Sequence, residues 1–517
     1  MFSRVRFVQR LLVVVVSLFG ALSCAGLNTY GTAPDVSNLE IENWLELRSD
    51  DFILYSRGPA DNLEIFALDL ARYVAVAERL VNAPPPNQLA KIFLLEGRAE
   101  TILIPHPGPA GYVTYSLAGF SSFMLTSSHD AGYRNLLLHE FTHYLNLRGS
   151  ELKYPTWYEE GFAEFLGSTR TRDDVMEIGS APPQNLLRLE YRRMRKEDID
   201  LEEIFSFERD GKRHYPRDFY PISWAVVHYL NSNSDRQQRM VSMLKHQGAG
   251  LHWKRAYDRS FTEPIETLAA RVGRHTEMLS RGTPSAVSYL PLDSLDVRDS
   301  WEIREIPPPE ILRILGELAL RGVVYLDGGT RAGKQLAEAL FERAVELDPK
   351  GSKAQAGLAA ALAAQSKSDE AETHLAVFRE DPEPSVEAII HAGDAVRWQT
   401  IGLNEERDRA ESEQRHQAAI LLYRRALESQ PNNAFALAGL GYSQFGNGDF
   451  EAARESLASA ENVGEWDANL ALMQGQVERQ LGFPAEAAAF WNEVLRRGTP
   501  DEAKRAAALL DEGRSKK

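Results

Sequence analysis

The segment LLLHEFTHYLNL, residues 136 to 147, carries His139 and His143 with Glu140 directly after the first. Four residues on a helix complete one turn and leave two side chains about 40° apart, so both imidazoles point the same way. Two neutral imidazole nitrogens offered together form half a ligand set for Zn²⁺. Glu140, beside them, is placed to meet a water on such a metal rather than the metal itself. The five-residue pattern also occurs on ordinary amphipathic helices with two histidines partly buried on the polar flank. The chain holds one cysteine, Cys24. That excludes an intrachain disulfide and a Cys-type structural zinc site, so a metal must be held by His, Asp or Glu.

A second carboxylate-bearing segment follows, YPTWYEEGFAEFLG, residues 154 to 167. Pro155 opens it, and Thr156 with Glu159 fits a T-x-x-E capping box for a new helix. Sixteen residues lie between His143 and Glu160, and Glu164 follows four positions later on the same helical face.

H-E-x-x-H, a short connection and then a helix with E-x-x-x-E resembles the gluzincin metallopeptidases. TWYEEGFAEF is similar to the W-x-x-E-G-x-A-E helix of the aminopeptidase-N-like and peptidase-MA-like members. The resemblance covers roughly residues 110 to 235. It implies that His139, His143 and Glu160 are the ligands of a Zn²⁺ cofactor and that Glu140 is the general base. It also implies that Glu164 supports a zinc-bound histidine from behind. One stretch departs from the aminopeptidase pattern. The residues before the zinc helix, SLAGFSSFMLTSS, lack the Gly-x-Met-Glu-Asn run that holds a free amine, which favours an endopeptidase or a narrow processing activity.

Amide hydrolysis needs a nucleophile, a polarised carbonyl, and a proton for the leaving nitrogen. A His₂Glu set leaves Zn²⁺ an open position for water, the metal lowers that water's pKa toward about 7, and Glu140 carries the proton. A further donor should stabilise the oxyanion. Tyr220, at the head of YPISWAVVHYL, is the candidate. Tyr215 and His214 compete for that role, and Tyr220 packing under its helix is the structural alternative. His228 reads as a surface or core histidine. Trp157, Tyr158, Phe162 and Phe165 read as core. SSFMLTSS, residues 121 to 128, reads as a sheet edge to which a peptide could add along Phe123 to Thr126. Ser128 and Asp130 start the next helix, and His106 and His129 read as loop residues.

These groups need a scaffold. The opening MFSRVRFVQRLLVVVVSLFGALSC has a basic start, an apolar run too short to span a membrane, and small residues before Cys24. It resembles a bacterial lipobox with Ala21 at the usual Leu position. Residues 1–23 are therefore expected to be removed as a lipoprotein signal peptide. Cys24 is expected to carry a lipid anchor to a membrane of the bacterial envelope, with the periplasmic side of an outer membrane favoured. Residues 24–43 read as a tether. Residues 44–285 alternate strand-like runs with helices and then turn mostly helical. That order predicts an α+β domain, zincin-like by the resemblance. Residues 286–312, rich in Pro and turn residues, read as a linker.

From 313 to 517 the chain repeats itself. Ala434 and Ala468 open equivalent segments 34 residues apart. Leu440–Gly441 set a large residue beside a small one on the first helix of a unit. Ala453, Leu457 and Ala460 form the face of the second, and Pro349 and Pro431 close their units. This resembles the tetratricopeptide repeat, with four to five units between about 318 and 501, one stretched by GLNEERDRAESEQRHQ. An all-α solenoid is expected there, presenting a surface to a protein partner or substrate. The net charge of −16 argues against a nucleic-acid partner. Two functions are consistent with the whole sequence: an exported zinc peptidase acting on a peptide or protein, or a periplasmic repeat scaffold whose peptidase-like domain is silent.

Overall fold

The computed structural model describes residues 35–81, 88–96, 103, 111–117, 119–125, 131–149, 154–208, 214–322, 329–404, 407–464, 466–498 and 500–515. The expected signal peptide, Cys24, His106, Thr126, Ser128, His129 and Asp130 lie outside the described residues.

Apolar runs of five to seven residues form strands β1 (Trp44–Arg48), β2 (Phe52–Ser56), β3 (Ala90–Leu95), β4 (Gly111–Ser116) and β5 (Gly119–Leu125). Helix α1 (Ala60–Val81) crosses between β2 and β3. Strands β2, β3 and β5 run parallel, and the sheet order is β4-β5-β3-β2-β1-β9, with β9 spanning Glu302–Ile306. Strand β5 is therefore interior, bonded to β3 on one side and β4 on the other. Peptide addition along Phe123 has no free edge to use; among the described residues the edge strands are β4 and β9.

Alternation along the strands divides the sheet into two buried faces. Phe52, Leu54, Ile92, Leu94, Phe120 and Met124 share one core with α1 and with α2 (Ala131–Gly149). Ile53, Tyr55, Phe93, Leu95 and Phe123 belong to a second core. There Tyr55, Phe93 and Phe123 stack with centroids 4.5 and 4.7 Å apart. Burial on both faces explains why these strands read as unbroken apolar runs. Each such side chain contributes about 1.5–3 kcal/mol by leaving water.

After α2 come α3 (Thr156–Gly167), a hairpin of β6 (Arg170–Arg172) and β7 (Val175–Ile178), then α4 (Pro183–Met194) and α5 (Leu201–Ser206). Next are α6 (Phe219–Asn231), α7 (Ser234–Gly248), α8 (Trp253–Ser260) and α9 (Ile265–Ser280). Strand β8 (Ser288–Pro291) pairs with β7, and β9 pairs with β1. The segment expected as a linker is thus woven into both sheets. Its prolines end strands or start helices rather than marking a free connection. The expected tether is likewise anchored at its end: Val36, Leu39 and Ile41 are buried, and Arg343 donates to the carbonyls of Val36 and Leu39.

Helices then follow in pairs: α10 (Pro308–Leu320) with α11 (Gly329–Leu347), α12 (Ser352–Ala363) with α13 (Ser368–Arg379), and α14 (Val386–Trp398) with α15 (Arg409–Ser429). Two more pairs are α16 (Ala434–Gly446) with α17 (Phe450–Val463), and α18 (Ala468–Gln480) with α19 (Pro484–Arg497), before a last helix, α20 (Pro500–Ser515). Asn433 and Asp467 cap α16 and α18, each side chain accepting from a backbone N–H three residues on. Small residues let the helices close. A Cβ on Gly439 would lie 2.3 Å from the Tyr423 ring, and one on Gly441 would lie 2.6 Å from Leu457. Part of the charged insertion is helical: residues 409–417 lengthen α15 by more than two turns. Among the described residues no helix is long and apolar enough to cross a membrane.

Candidate metal centre

Helix α2 is fixed before it can present ligands. The Tyr73 hydroxyl of α1 donates to the Leu138 carbonyl at 2.9 Å, and Thr142 donates to the same carbonyl at 2.7 Å. Arg134 donates to Asp69 at 2.9 Å and to the Thr169 carbonyl at 2.8 Å. Phe120 of β5 lies 5.4 Å from the rings of both Phe141 and Tyr144. The histidine turn is therefore held by the sheet below and α1 beside it.

Helix α3 reaches that turn through two glycines. A Cβ on Gly161 would stand 2.5 Å from the Ser223 carbonyl oxygen of α6, and one on Gly167 would stand 2.8 Å from the His139 backbone nitrogen. The helix thus fits between α2 and α6 with backbone against backbone, an approach only glycine permits. The expected capping box does not form. Pro155 occupies the cap position, and its carbonyl accepts from the N–H groups of Tyr158 and Glu159. The helix begins one residue earlier than a Thr156 cap requires, so Thr156 is its first helical residue.

The close crossing brings Glu160 to the histidines. Nε2 of His139 and Nε2 of His143 are 3.2 Å apart, and Oε2 of Glu160 lies 3.3 Å from the first and 3.4 Å from the second. Ligands at about 2.0–2.1 Å from one tetrahedral Zn²⁺ stand about 3.3–3.4 Å from each other. The three atoms therefore have the separations that a single zinc ion demands. Their chemistry also fits: two imidazoles and one carboxylate leave a fourth position open. His139 and Glu160 are buried and His143 is partly so.

The surroundings complete the geometry. Oε1 of Glu164 approaches Nδ1 of His139 to 3.4 Å, and its Oε2 accepts from Nδ2 of Asn185 at 2.9 Å. Asn185 is buried on α4. The Tyr215 hydroxyl donates to Oε1 of Glu160 at 3.2 Å. Burial opposes charge on His139, yet the contacts with Glu160 and Glu164 outweigh it and push the imidazole up to about 10. Burial likewise raises the Glu160 carboxyl, but bonds from His139 and His143 outweigh it and hold it well below the usual carboxylate range.

Glu140 follows His139 on α2, partly exposed, and its charge acts on that imidazole. Tyr220 sits in the first turn of α6 with its ring centroid 6.2 Å from that of His139. Of the two competitors, Tyr215 touches a proposed ligand, while His214 is exposed. His228 is a core histidine, 2.8 Å from Nε2 of His275 and 2.7 Å from the Ser285 carbonyl. Trp157 and Phe165 are buried, with Tyr158 and Phe162 packed against the same core. Asn185 was invisible in the sequence; it follows two prolines and carries no motif.

Residues 333–383 and 408–467 match a family model described as tetratricopeptide repeat. No curated protein sequence matches the chain. Among solved structures, the chain is similar to a thermophilic TPR protein from Thermus thermophilus, at 18% identity over 39% of this chain and 98% of that one, with a TM-score of 0.33. It is also similar to MamA from Desulfovibrio magneticus, at 15% identity over 36% and 93%, TM-score 0.25. A third is PilF of Pseudomonas aeruginosa, at 14% identity over 40% and 99%, TM-score 0.20. The family-model match lies wholly within the helical pairs that follow the sheet domain. The C-terminal region is an all-helical array of tetratricopeptide repeats, a fold suited to protein–protein contact, joined to an N-terminal α/β region.

Proposed function

We propose that the protein is a zinc-dependent peptidase of gluzincin type, exported and lipid-anchored at Cys24, with a repeat domain for protein contact. One observation carries the peptidase reading: the 3.2–3.4 Å triangle of His139 Nε2, His143 Nε2 and Glu160 Oε2. A Zn²⁺ ion in that triangle would supply Lewis acidity and lower the pKa of an attacking water toward about 7. Glu140 takes the proton of the attacking water and returns it to the departing amine. Glu164, tied to Asn185, keeps His139 in the tautomer that offers Nε2 to a metal. Tyr215 fixes one oxygen of Glu160 so that the other faces the histidines. Tyr220 donates to the developing oxyanion. The open edge of β4 is where an extended peptide would add. The anchor and the envelope location rest on the N-terminal sequence alone.

A second reading is favoured by the family-model match, which falls in the repeats and leaves the sheet domain unmatched. In it the protein is a non-catalytic scaffold. Elemental analysis of purified protein, with and without His143→Ala, and cleavage of a mixed peptide library by wild type and Glu140→Gln separate the two. The peptidase reading expects one zinc per chain, lost in His143→Ala, and a fall of about 10²–10⁴ in turnover for Glu140→Gln with zinc retained. Zinc-loaded wild type that cleaves nothing leaves the scaffold.

A further inference from the structure

Helix α6 is entered through Asp218, whose backbone is left-handed at φ 57° and ψ 28°. Few residues with a Cβ settle there, and Asp and Asn tolerate it best. An Asp at a helix cap ordinarily turns its carboxylate onto the first N–H groups, but Asp218 makes no such bond. Its carboxylate faces α4 instead. Oδ2 accepts from Nη1 of Arg192 at 3.4 Å, and Nη1 of Arg188 lies 3.9 Å from Oδ1. The side chains of Asp218 and Arg192 are only 9% and 13% exposed. Arg192 is itself held, donating twice to the Asp198 carbonyl at 2.6 and 3.2 Å.

This turn separates two tyrosines at the candidate metal centre. Before it, the Tyr215 hydroxyl donates to Oε1 of Glu160; after it, the Tyr220 ring lies 6.2 Å from that of His139. The two tyrosine rings are 5.1 Å apart. The left-handed residue closes the turn: the Phe219 N–H donates to the Pro216 carbonyl at 3.1 Å, and the Ile222 N–H donates to the Asp218 carbonyl at 3.0 Å to start α6. Helix α4 therefore reaches the centre twice. Asn185 holds Glu164, and Arg192, seven residues on, holds Asp218. Seven residues are close to two turns, so both side chains leave one helix face, about 20° apart.

We propose that Asp218 is a positioning residue: its left-handed backbone, clamped to Arg192, sets Tyr215 against Glu160 and Tyr220 beside His139, so that one face of α4 aligns the histidine and both tyrosines. The consequence for turnover rests on the peptidase reading. The consequence for metal affinity rests only on the His139–His143–Glu160 site.

Zinc competition titration and peptide-library kinetics on full-length Asp218→Ala, Asp218→Asn and Asp218→Gly test it. Asp218→Ala loses the clamp and disfavours the turn; it is expected to lower zinc affinity and kcat by about tenfold each, with KM within about twofold of wild type. Asp218→Asn keeps the left-handed preference and an oxygen for Arg192, and is expected to restore both to within about threefold of wild type. Asp218→Gly keeps the turn without the clamp and should fall between them; it stands in for Asp218→Ala should that chain fail to fold. Wild-type zinc affinity and kcat in the folded Ala or Gly variant overturn the proposal, whatever happens to the urea midpoint. So does Asp218→Asn as impaired as Asp218→Ala. A wild type that binds zinc but cleaves nothing removes the peptidase reading and leaves the zinc titration to decide the clamp; one that binds no zinc removes both.

Discussion

Two buried polar groupings, one in each domain, behave in opposite ways. In the repeats, Asp394 accepts from Arg321 at 2.6 Å and from the Tyr423 hydroxyl at 2.7 Å, and Arg397 pairs with it at 3.3 Å. Both guanidinium groups there meet the one carboxylate of Asp394. In the sheet domain, two imidazoles and a carboxylate aim at one shared point. Matched charges hold a fold together; converging ligand atoms are an arrangement that could hold a metal ion. Glu317, Glu387 and His391 also bring ligand atoms within 4.8 Å, but Arg313 and Lys353 already pair with Glu387. The carboxylate of Glu387 is thus already matched by cations, although the ring nitrogens of His391 find no hydrogen-bond partner.

The contrast can be broken at several points. The largest effect is expected at the two tyrosines. Tyr220→Phe should lower kcat by about 10²–10³ with zinc content unchanged, as loss of an oxyanion donor does. Tyr215→Phe should instead weaken zinc binding, since its hydroxyl touches Glu160. Kinetics and metal titration on both variants check the assignment, and the reverse pattern exchanges their roles. Next, Asn185→Ala should weaken zinc affinity about 10–100-fold by freeing Glu164. A competition titration that finds wild-type affinity would detach α4 from the site.

A third prediction sets the two domains side by side. Gly161→Ala drives a methyl into the Ser223 carbonyl of α6, an atom that cannot turn aside, and should cost about 1–3 kcal/mol. Gly441→Ala meets Cδ2 and Cγ of the Leu457 side chain before any backbone atom, and should cost less. Urea midpoints measure both, and equal losses would erase the distinction. The smallest effect is a pH slope. Burial, the main influence, holds His391 down to about 4, below the 6.5 of a free histidine. The unfolded chain therefore takes the proton first. Stability present above pH 6.5 falls as pH drops toward 4, by under about 1 kcal/mol between pH 7 and pH 6. His391→Met should flatten that share of the slope, and a slope unchanged from wild type would assign it to other groups.

How much of this was legible follows from the range of the interactions. The repeats could be read because each unit packs on its neighbour in sequence. Ala453, Leu457 and Ala460 must recur on one helical face every 34 residues for the stack to continue, and the family-model match there agrees. His139 and His143 could be placed together because one helical turn relates them. Glu160 could be nominated only through a resemblance, since no local rule carries a side chain across a turn and onto another helix.

The amino-acid order alone settled the helical period of the repeats, the shared face of the two histidines and the presence of strand-like apolar runs. Tertiary structure decided the rest. It made β5 interior, built residues 288–291 and 302–306 into sheets, put Pro155 at the cap, and brought Asn185 and Tyr215 to the ligands. The physical reason is that period and propensity act over one or two turns of chain. Sheet order and helix crossings depend on which distant surfaces exclude water together, and on where a glycine such as Gly161 lets two backbones touch.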